Sequence, residues 1–263
     1  MAEAGIILVG HGSARHPESA EPIHALAEAL KARGPWAEVA AVFMKQSPRL
    51  DEALALVQAE RVVIVPVFAG KGFYTDTLIP REMGLSGPIT RRDGRVLIYT
   101  EPAGCDPRIP GLMACRADGV VRSAGIDPTT ASLLLIAHGS ARPGGSGDTP
   151  KAIAAAITAM NHFAETRLVF LEQEPFARDW QNHITGTGEL VVLPLLVAQG
   201  MHASQDIPPL FGFPPGGTGP VEVAGRQARL ATNLGAEPEL VDIIATMVER
   251  ALRTQDQARN PDA

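Results

Sequence analysis

The chain has 263 residues, of which 45% are hydrophobic, and its 23 Lys and Arg against 29 Asp and Glu give a net charge of −6. This length is typical of two compact domains, and an acidic chain without a basic run is not expected to bind nucleic acid. No uninterrupted apolar run is long enough to span a membrane, and the first residues lack the basic region of a secretory signal, so we expect a cytoplasmic protein.

The first half of the chain alternates short apolar runs with an amphipathic segment. Continuous apolar runs are typical of parallel strands that are buried on both faces. We predict such strands at 5–10, 39–44, 62–67 and 96–99. After the first run, Ile23, Leu26 and Leu30 recur at helical spacing up to Gly34. Strands that alternate with helices in this way predict a doubly wound α/β sheet.

The second half repeats this order. We predict strands at 132–137, 167–171, 190–197 and 221–223. A helix is predicted after the first of them, with Thr149 as its N-cap. Small residues and a proline break the pattern at 123–128. We therefore predict two domains, at 1–125 and 126–263, with a disordered tail from about residue 254, where the apolar content falls.

One motif occurs in both halves. The first copy reads Gly10-His11-Gly12-Ser13-Ala14-Arg15, and the second, nearly half a chain later, reads Ala137-His138-Gly139-Ser140-Ala141-Arg142. Solenoid repeats have periods of about 20–50 residues, so a repeat this long indicates a duplicated domain. The sequence therefore predicts two similar α/β domains, each with a doubly wound parallel sheet.

The two copies differ at the positions that carry chemistry. Lys45 stands where the second copy has Glu172, and Tyr74 stands where it has His202. The first copy thus retains His11 but loses the other two groups. We expect a chemical centre in the second copy and a degenerate site in the first.

The second copy carries a potential set of metal ligands. In doubly wound sheets, ligands bind beyond the carboxyl ends of the strands, and His138, Glu172 and His202 each follow a different predicted strand there. Two imidazoles and a carboxylate can bind Co, Fe, Ni or Zn while leaving coordination positions open. Cys105 and Cys115 are too few to hold an iron–sulfur cluster on four thiolates, so we expect none.

These motifs resemble those of the CbiX-type sirohydrochlorin chelatases, which belong to the class II chelatase superfamily. The similar elements are His-Gly-Ser after a buried strand, Phe-Leu-Glu with a following Pro, and Gly-x-His-x-x-x-Asp-Ile-Pro, within a frame that covers both halves of the chain. The resemblance implies that a divalent metal ion is inserted into sirohydrochlorin without ATP or an organic cofactor, in a cleft between two chelatase-like domains. It implies Co²⁺ or Fe²⁺ as the metal, with Ni²⁺ as a further candidate.

The resemblance also assigns roles to residues of the second copy. It implies that His138 and His202 are the metal-site histidines and that Glu172 is the strand-end glutamate. Neutral imidazoles can hold such an ion and then release it to the ring nitrogens, while Glu172 acts either as a ligand or as the base that accepts pyrrole protons. Asp206 follows His202 by one helical turn and is a candidate to orient it.

Sirohydrochlorin is a polycarboxylate, so an acidic protein that binds it needs local positive charge. Candidate substrate-binding cations are Arg15, Arg142, Lys45 and Lys71. We hypothesise that the first domain exchanged metal chemistry for substrate binding, with Tyr74 packed on the face of the macrocycle. For His11, a role in the cleft, where it would bind the substrate or a second ion, and a remnant of the duplication are equally compatible with the sequence.

Two other functions fit parts of the pattern. A degenerate chelatase could bind or deliver a metal ion or a tetrapyrrole without turnover. Phosphoryl transfer through His11 or His138 is disfavoured, because Gly10 and Ala137 stand where phosphohistidine motifs carry an arginine. Cobalt would place the protein in cobalamin synthesis and iron in siroheme synthesis, and a monomer and a homodimer both agree with a chain that carries two domains.

Overall fold

The computed structural model of the chain describes residues 4–140, 147–197, 206–236 and 238–259. It divides the chain into two compact units. Unit 1 comprises Met1–Asp106 and Pro238–Ala263, and unit 2 comprises Pro107–Glu237. Among the helices of the described residues, none is long and apolar enough to cross a membrane.

Unit 1 contains a five-stranded sheet. Its strands are β1 (Ala4–Gly10), β2 (Glu38–Phe43), β3 (Arg61–Pro66), β4 (Ile89–Arg92) and β5 (Arg95–Tyr99). They lie in the order β2-β1-β3-β5-β4, with β4 antiparallel to β5 and the other pairs parallel. All residues of the inner strand β1 are buried, as its continuous apolar sequence predicts. Helices α1 (Glu21–Arg33) and α2 (Ile79–Glu82) follow β1 and β3.

Unit 2 repeats this sheet. Its strands are β6 (Ser132–Ala137), β7 (Glu165–Phe170), β8 (Leu190–Pro194), β9 (Val221–Val223) and β10 (Arg226–Leu230), in the order β7-β6-β8-β10-β9. Its helices include α4 (Asp148–Ala159) and α5 (Ile207–Phe211). Helix α4 has Gly147 as its N-cap, so Thr149 lies in the first turn and the predicted cap was wrong by two residues. The predicted class of two doubly wound α/β domains is confirmed.

The fourth strand predicted for the first repeat, at 96–99, is confirmed as the parallel strand β5, but the one predicted for the second repeat is wrong. The segment Val221–Val223 was predicted as a parallel strand, but it pairs antiparallel with β10 at the edge of the sheet, and β10 is the parallel fourth strand. In both units a two-residue turn with positive φ joins the edge strand to its neighbour, at Asp93-Gly94 and at Ala224-Gly225. Such turns favour tight hairpins, and the Asp-Gly pair was a readable signal for the first of them.

The helices after the fourth strands do not follow the sequence repeat. Helix α3 (Ile109–Ser123) ends the first repeat but belongs to unit 2, where it packs against α4 and β8. Helix α6 (Leu240–Arg259) ends the second repeat but belongs to unit 1, where it packs against α1 and β3. The compact units therefore divide after Asp106 and before Pro238, whereas the sequence placed a boundary at 125/126.

The C-terminal segment is helical over its described part. The tail predicted to be disordered from about residue 254 continues α6 up to Arg259, which corrects that prediction. Arg61 of β3 holds this last part of the helix, because its guanidinium lies 3.0 Å from the Asp256 carboxylate and 3.2 Å from the Leu252 carbonyl oxygen. Tertiary contacts thus outweigh the polar composition of the segment.

Candidate functional site

Each sheet has a topological switch point at which its chain reverses direction across the sheet. In unit 1, the chain passes from β1 to β2 on one side and then returns to β3 on the other, and unit 2 does the same with β6, β7 and β8. In open α/β sheets generally, ligands bind beyond the carboxyl ends of the strands at such a switch point. His11 follows β1 and His138 follows β6, so both histidines lie at a switch point.

A glutamine fixes the loop that carries each histidine. The Ser13 amide donates to Gln46 Oε1 over 2.7 Å, and the Ser140 amide donates to Gln173 Oε1 over 2.8 Å. The glycine between histidine and serine has a positive φ in both copies, and a Cβ on Gly139 would lie 2.7 Å from the Gln173 side chain. The Gly-Ser part of the motif is therefore structural, since it shapes the loop that presents the histidine.

These glutamines were not recognised as site residues from the sequence. The signal that could have found them is their repetition, since both copies read Gln-x-Pro after the second strand. A residue type that recurs in register in two diverged repeats has a role in the shared frame.

The structure brings His138 and Glu172 together in unit 2. The Glu172 amide donates to the His138 carbonyl over 2.9 Å, and the His138 Nδ1 atom lies 3.7 Å from Glu172 Oε2. The side chains are 40% and 51% exposed, so an incoming ion can reach both. His138 Nδ1 also lies 3.0 Å from the Gly139 carbonyl oxygen. A carbonyl only accepts, so this contact is a hydrogen bond in the tautomer that has its proton on Nδ1, and that tautomer leaves the lone pair of Nε2 for a metal ion.

Two predicted site residues lie outside the described residues. These are His202, within 198–205, and Arg142, within 141–146. The described part of the chain contains no group of three His, Cys, Asp or Glu side chains placed to hold a metal ion together. Asp206, which was expected to orient His202, is exposed and directly precedes α5.

The equivalent site of unit 1 is aromatic. The His11 ring packs edge-on against Tyr74, with 5.1 Å between ring centroids, and against Phe68, with 6.5 Å between centroids. The Lys45 amide donates to the His11 carbonyl over 3.1 Å, which is the same backbone contact that Glu172 makes in unit 2. The side chains of Lys45 and Arg15 are exposed. The predicted substrate-binding residues His11 and Tyr74 are therefore in contact, beside an exposed cation.

Lys71 has a partner within the protein. Its ammonium lies 2.6 Å from the Glu101 carboxylate, and the hydrogen bond to Glu101 raises the pKa of Lys71. A substrate carboxylate at this position would have to displace Glu101. Lys71 is therefore a weaker candidate for substrate binding than Lys45.

The family was then determined by comparison with known proteins. The model of the CbiX family matches residues 5–119 and 132–251, which together make up most of the chain. The chain belongs to the CbiX family. The match falls into two segments, one per sequence repeat, as expected for two copies of one domain. The family predicted from the sequence is therefore confirmed.

Individual relatives agree with this assignment. A protein of Halobacterium salinarum named probable sirohydrochlorin cobaltochelatase is 28% identical over 267 residues, which cover 94% of this chain and 90% of that protein. The crystal structure of DR2241 from Deinococcus radiodurans, described as similar to chelatases with two additional domains, aligns with a TM-score of 0.75 and 28% identity. That alignment covers 94% of this chain and 54% of DR2241, so this chain spans about half of that protein.

A solved CbiX structure shows the same fold. It is described as the terminal enzyme of siroheme biosynthesis in denitrifying bacteria, and it aligns with a TM-score of 0.72 over 95% of this chain and 99% of its own length. At 24% identity, this likeness concerns the fold. The two-domain chelatase-like architecture of this CbiX-family chain is thereby confirmed.

Proposed function

We propose that this protein is a sirohydrochlorin metallochelatase, which inserts a divalent metal ion into the ring without ATP. The observation that carries the proposal is the exposed His138–Glu172 pair, 3.7 Å apart at the carboxyl ends of β6 and β7, in a chain of the CbiX family. The cobaltochelatase name of the Halobacterium relative favours Co²⁺. Imidazole and carboxylate ligands also accept Fe²⁺ and Ni²⁺, so the experiment below includes all three metals.

In this proposal, unit 2 binds the metal ion and presents it to the ring. His138 binds the ion through Nε2, and His202 and Glu172 complete a set that leaves positions open for the ring nitrogens. Insertion also requires the loss of two pyrrole protons. Glu172 is the group suited to accept them, because its carboxylate is half exposed and lies beside the His138 ring.

Macrocycle binding belongs to unit 1. Lys45 and Arg15 present exposed positive charge to a polycarboxylate, and the Tyr74 ring offers an apolar face. His11 lies against that ring, so we assign it to the substrate-binding surface and not to a metal. Arg142 is assigned to substrate carboxylates because it holds the place in the second repeat that Arg15 holds in the first.

The test is anaerobic metallation of sirohydrochlorin, monitored through the absorbance of the metallated ring. It compares the wild type with His138→Ala, His202→Ala and His11→Ala, each with Co²⁺, Fe²⁺ and Ni²⁺. We expect the first two variants to lose more than about 100-fold in rate, since even the outer partners of metal ligands cost 10- to 100-fold. The matched variant His11→Ala should stay within about tenfold of the wild type.

Two outcomes would contradict the proposal. A larger loss in His11→Ala than in His138→Ala would move the metal centre to unit 1. A wild-type protein that binds Co²⁺ and sirohydrochlorin but metallates the ring no faster than free ions would be a delivery protein, not an enzyme.

A further inference from the structure

Two aromatic rings are exposed side by side in unit 1. In the described part of the chain, the large hydrophobic side chains that are exposed are those of Leu56, Phe73, Tyr74 and Met160. Phe73 is 46% exposed and Tyr74 is 37% exposed, and they are neighbours in the loop after β3. Adjacent exposed aromatic side chains are typical of a surface that a ligand covers.

Hydrogen bonds anchor the segment that carries these two rings. The Thr75 side chain is 2% exposed, and its hydroxyl accepts from the Gly72 amide over 3.0 Å and lies 2.9 Å from Asp76 Oδ1. The Tyr99 hydroxyl donates to the Thr75 carbonyl over 2.7 Å. These bonds fix the backbone next to Tyr74. A ligand therefore meets a preformed surface and loses little entropy in ordering it.

The rings form a continuous cluster with the switch-point histidine. Phe68 and Tyr74 stack at 6.4 Å between centroids with 30° between planes. Phe73 meets Tyr74 edge to face, at 6.0 Å between centroids with 62° between planes, so the two rings offer a flat ligand one face and one edge. In the second repeat, Leu196, Met201 and His202 occupy the positions of Phe68, Phe73 and Tyr74. The first repeat has therefore gained aromatic area at the place where the second carries a predicted metal ligand.

We propose that Phe73 is a specificity-determining residue, which together with Tyr74 binds the flat conjugated face of the macrocycle. Thr75 and Tyr99 are the positioning residues that hold this aromatic surface in place. The inference rests on the proposed function and extends it, because it identifies planarity as the property of the substrate that unit 1 selects. Exposed Lys45, whose amide contacts the His11 carbonyl, supplies charge for the carboxylates at the edge of such a ring.

The test separates planarity from charge. Uroporphyrin is flat and uroporphyrinogen is puckered, yet both carry the same carboxylates, and neither needs a metal to bind. In anaerobic titrations followed by protein fluorescence, we expect the wild type to bind uroporphyrin about 3- to 10-fold more tightly than uroporphyrinogen. Phe73→Ala should abolish this preference, and Phe73→Trp should retain it.

Control variants make the test specific. Leu56→Ala removes an equally exposed side chain of unit 1, at 46%, and should leave both affinities unchanged. Tyr99→Phe removes the hydroxyl that holds Thr75 and should weaken uroporphyrin binding about threefold. Co²⁺ affinity should be unchanged in every variant of this set. A planar preference that persists in Phe73→Ala would overturn the inference.

The outcomes also distinguish this inference from the proposed function. If the chain does not metallate sirohydrochlorin but shows a Phe73-dependent preference for the flat ring, the inference about the aromatic surface is supported and the chelatase function is contradicted. If the chain metallates sirohydrochlorin and Phe73→Ala changes neither KM nor the preference for the flat ring, the chelatase function is supported and the inference about the aromatic surface is contradicted.

Discussion

The histidine loops of the two units share backbone contacts and differ in the side chains beside them. The amide of the second residue after the second strand donates to the histidine carbonyl over 3.1 Å in unit 1 and 2.9 Å in unit 2. The serine amide reaches the glutamine over 2.7 Å and 2.8 Å. On this common frame, unit 1 carries Lys45 and Tyr74 where unit 2 carries Glu172 and His202.

This difference shows how the two copies of a duplicated site can take different roles. In the proposed division, unit 1 has a cation and an aromatic ring, Lys45 and Tyr74, at the two positions where unit 2 has the predicted metal ligands Glu172 and His202. We call these two positions of each unit the rim, and the glycine and glutamine that shape the histidine loop the frame. Since the frame requires glycine and glutamine but leaves the rim free, each copy can change its ligand without losing its fold. The comparison therefore predicts that substitutions at the rim alter the binding of metal or substrate. Substitutions in the frame should alter the geometry of the histidine loops or the stability of the fold.

The largest effect is expected from exchanging the rim charges. Glu172→Lys removes a carboxylate and places an ammonium beside His138, and repulsion between this charge and a divalent ion should lower Co²⁺ affinity more than about 100-fold. The reverse variant, Lys45→Glu, should not create a metal site, because Tyr74 stands in place of the second imidazole. It should instead weaken binding of the polycarboxylate ring about 3- to 10-fold.

Calorimetric titration with Co²⁺ and spectroscopic titration with the metal-free ring measure the two effects in one pair of variants. The ring affinity should fall with added salt in the wild type and less steeply in Lys45→Glu. Tight Co²⁺ binding gained by Lys45→Glu would show that unit 1 still holds a latent metal site. An unchanged ring affinity would remove Lys45 from the substrate-binding surface.

A smaller effect is expected from the frame glutamines. Gln173→Leu leaves the Ser140 amide without its acceptor and loosens the loop that carries His138, so Co²⁺ affinity should fall about tenfold. Gln46→Leu makes the same change in unit 1 and should weaken ring binding with Co²⁺ affinity unchanged. The control is Gln58→Leu, at an exposed glutamine away from both loops, which should change neither affinity. Equal effects of Gln46→Leu and Gln173→Leu on Co²⁺ would contradict the division between units.

Part of this fold could be read from the sequence because local patterns decide it. Strands such as β1 and β6 are continuous apolar runs, and the histidine loops follow them directly. The place of α3 could not be read in this way, since a helix with one buried face, here including Ile109, Met113 and Val121, does not specify which sheet will cover that face. That choice is made by tertiary packing.

The same limit applies to the candidate site. His138 and Glu172 follow strand ends, so their proximity was predictable from the rule that parallel strands end at one edge. The aromatic surface was not predictable beyond Tyr74. Phe68 and Phe73 belong to no motif. Phe68 contacts the His11 ring, whereas Phe73 contacts Tyr74, which in turn contacts His11. The hydrogen bond from the Tyr99 hydroxyl to the Thr75 carbonyl helps to place this segment, and no local sequence pattern encodes it.

The smallest effect is expected at Glu165, which lies in β7 away from the rim positions of both units. Glu165 in β7 accepts hydrogen bonds from the Gly186 and Thr185 amides over 2.5 and 3.0 Å, and its counterpart Glu38 in unit 1 likewise accepts from two amides, over 2.6 and 2.9 Å. Burial by itself would raise the pKa of Glu165, but the hydrogen bonds from Gly186, Ser132 and Thr185 outweigh it and lower the pKa.

A carboxyl with a lowered folded pKa stabilises the fold above its unfolded pKa, and this contribution is lost as the pH falls through the folded value. Glu165→Gln should therefore cost about 1 kcal/mol in the free energy of unfolding at pH 7 and less near pH 3, while the affinities for Co²⁺ and the ring stay unchanged. Urea unfolding at the two pH values measures the difference. A cost that does not depend on pH would show that the carboxylate charge is not what anchors β7, and altered Co²⁺ affinity would show that Glu165 and the rim are not separable in unit 2.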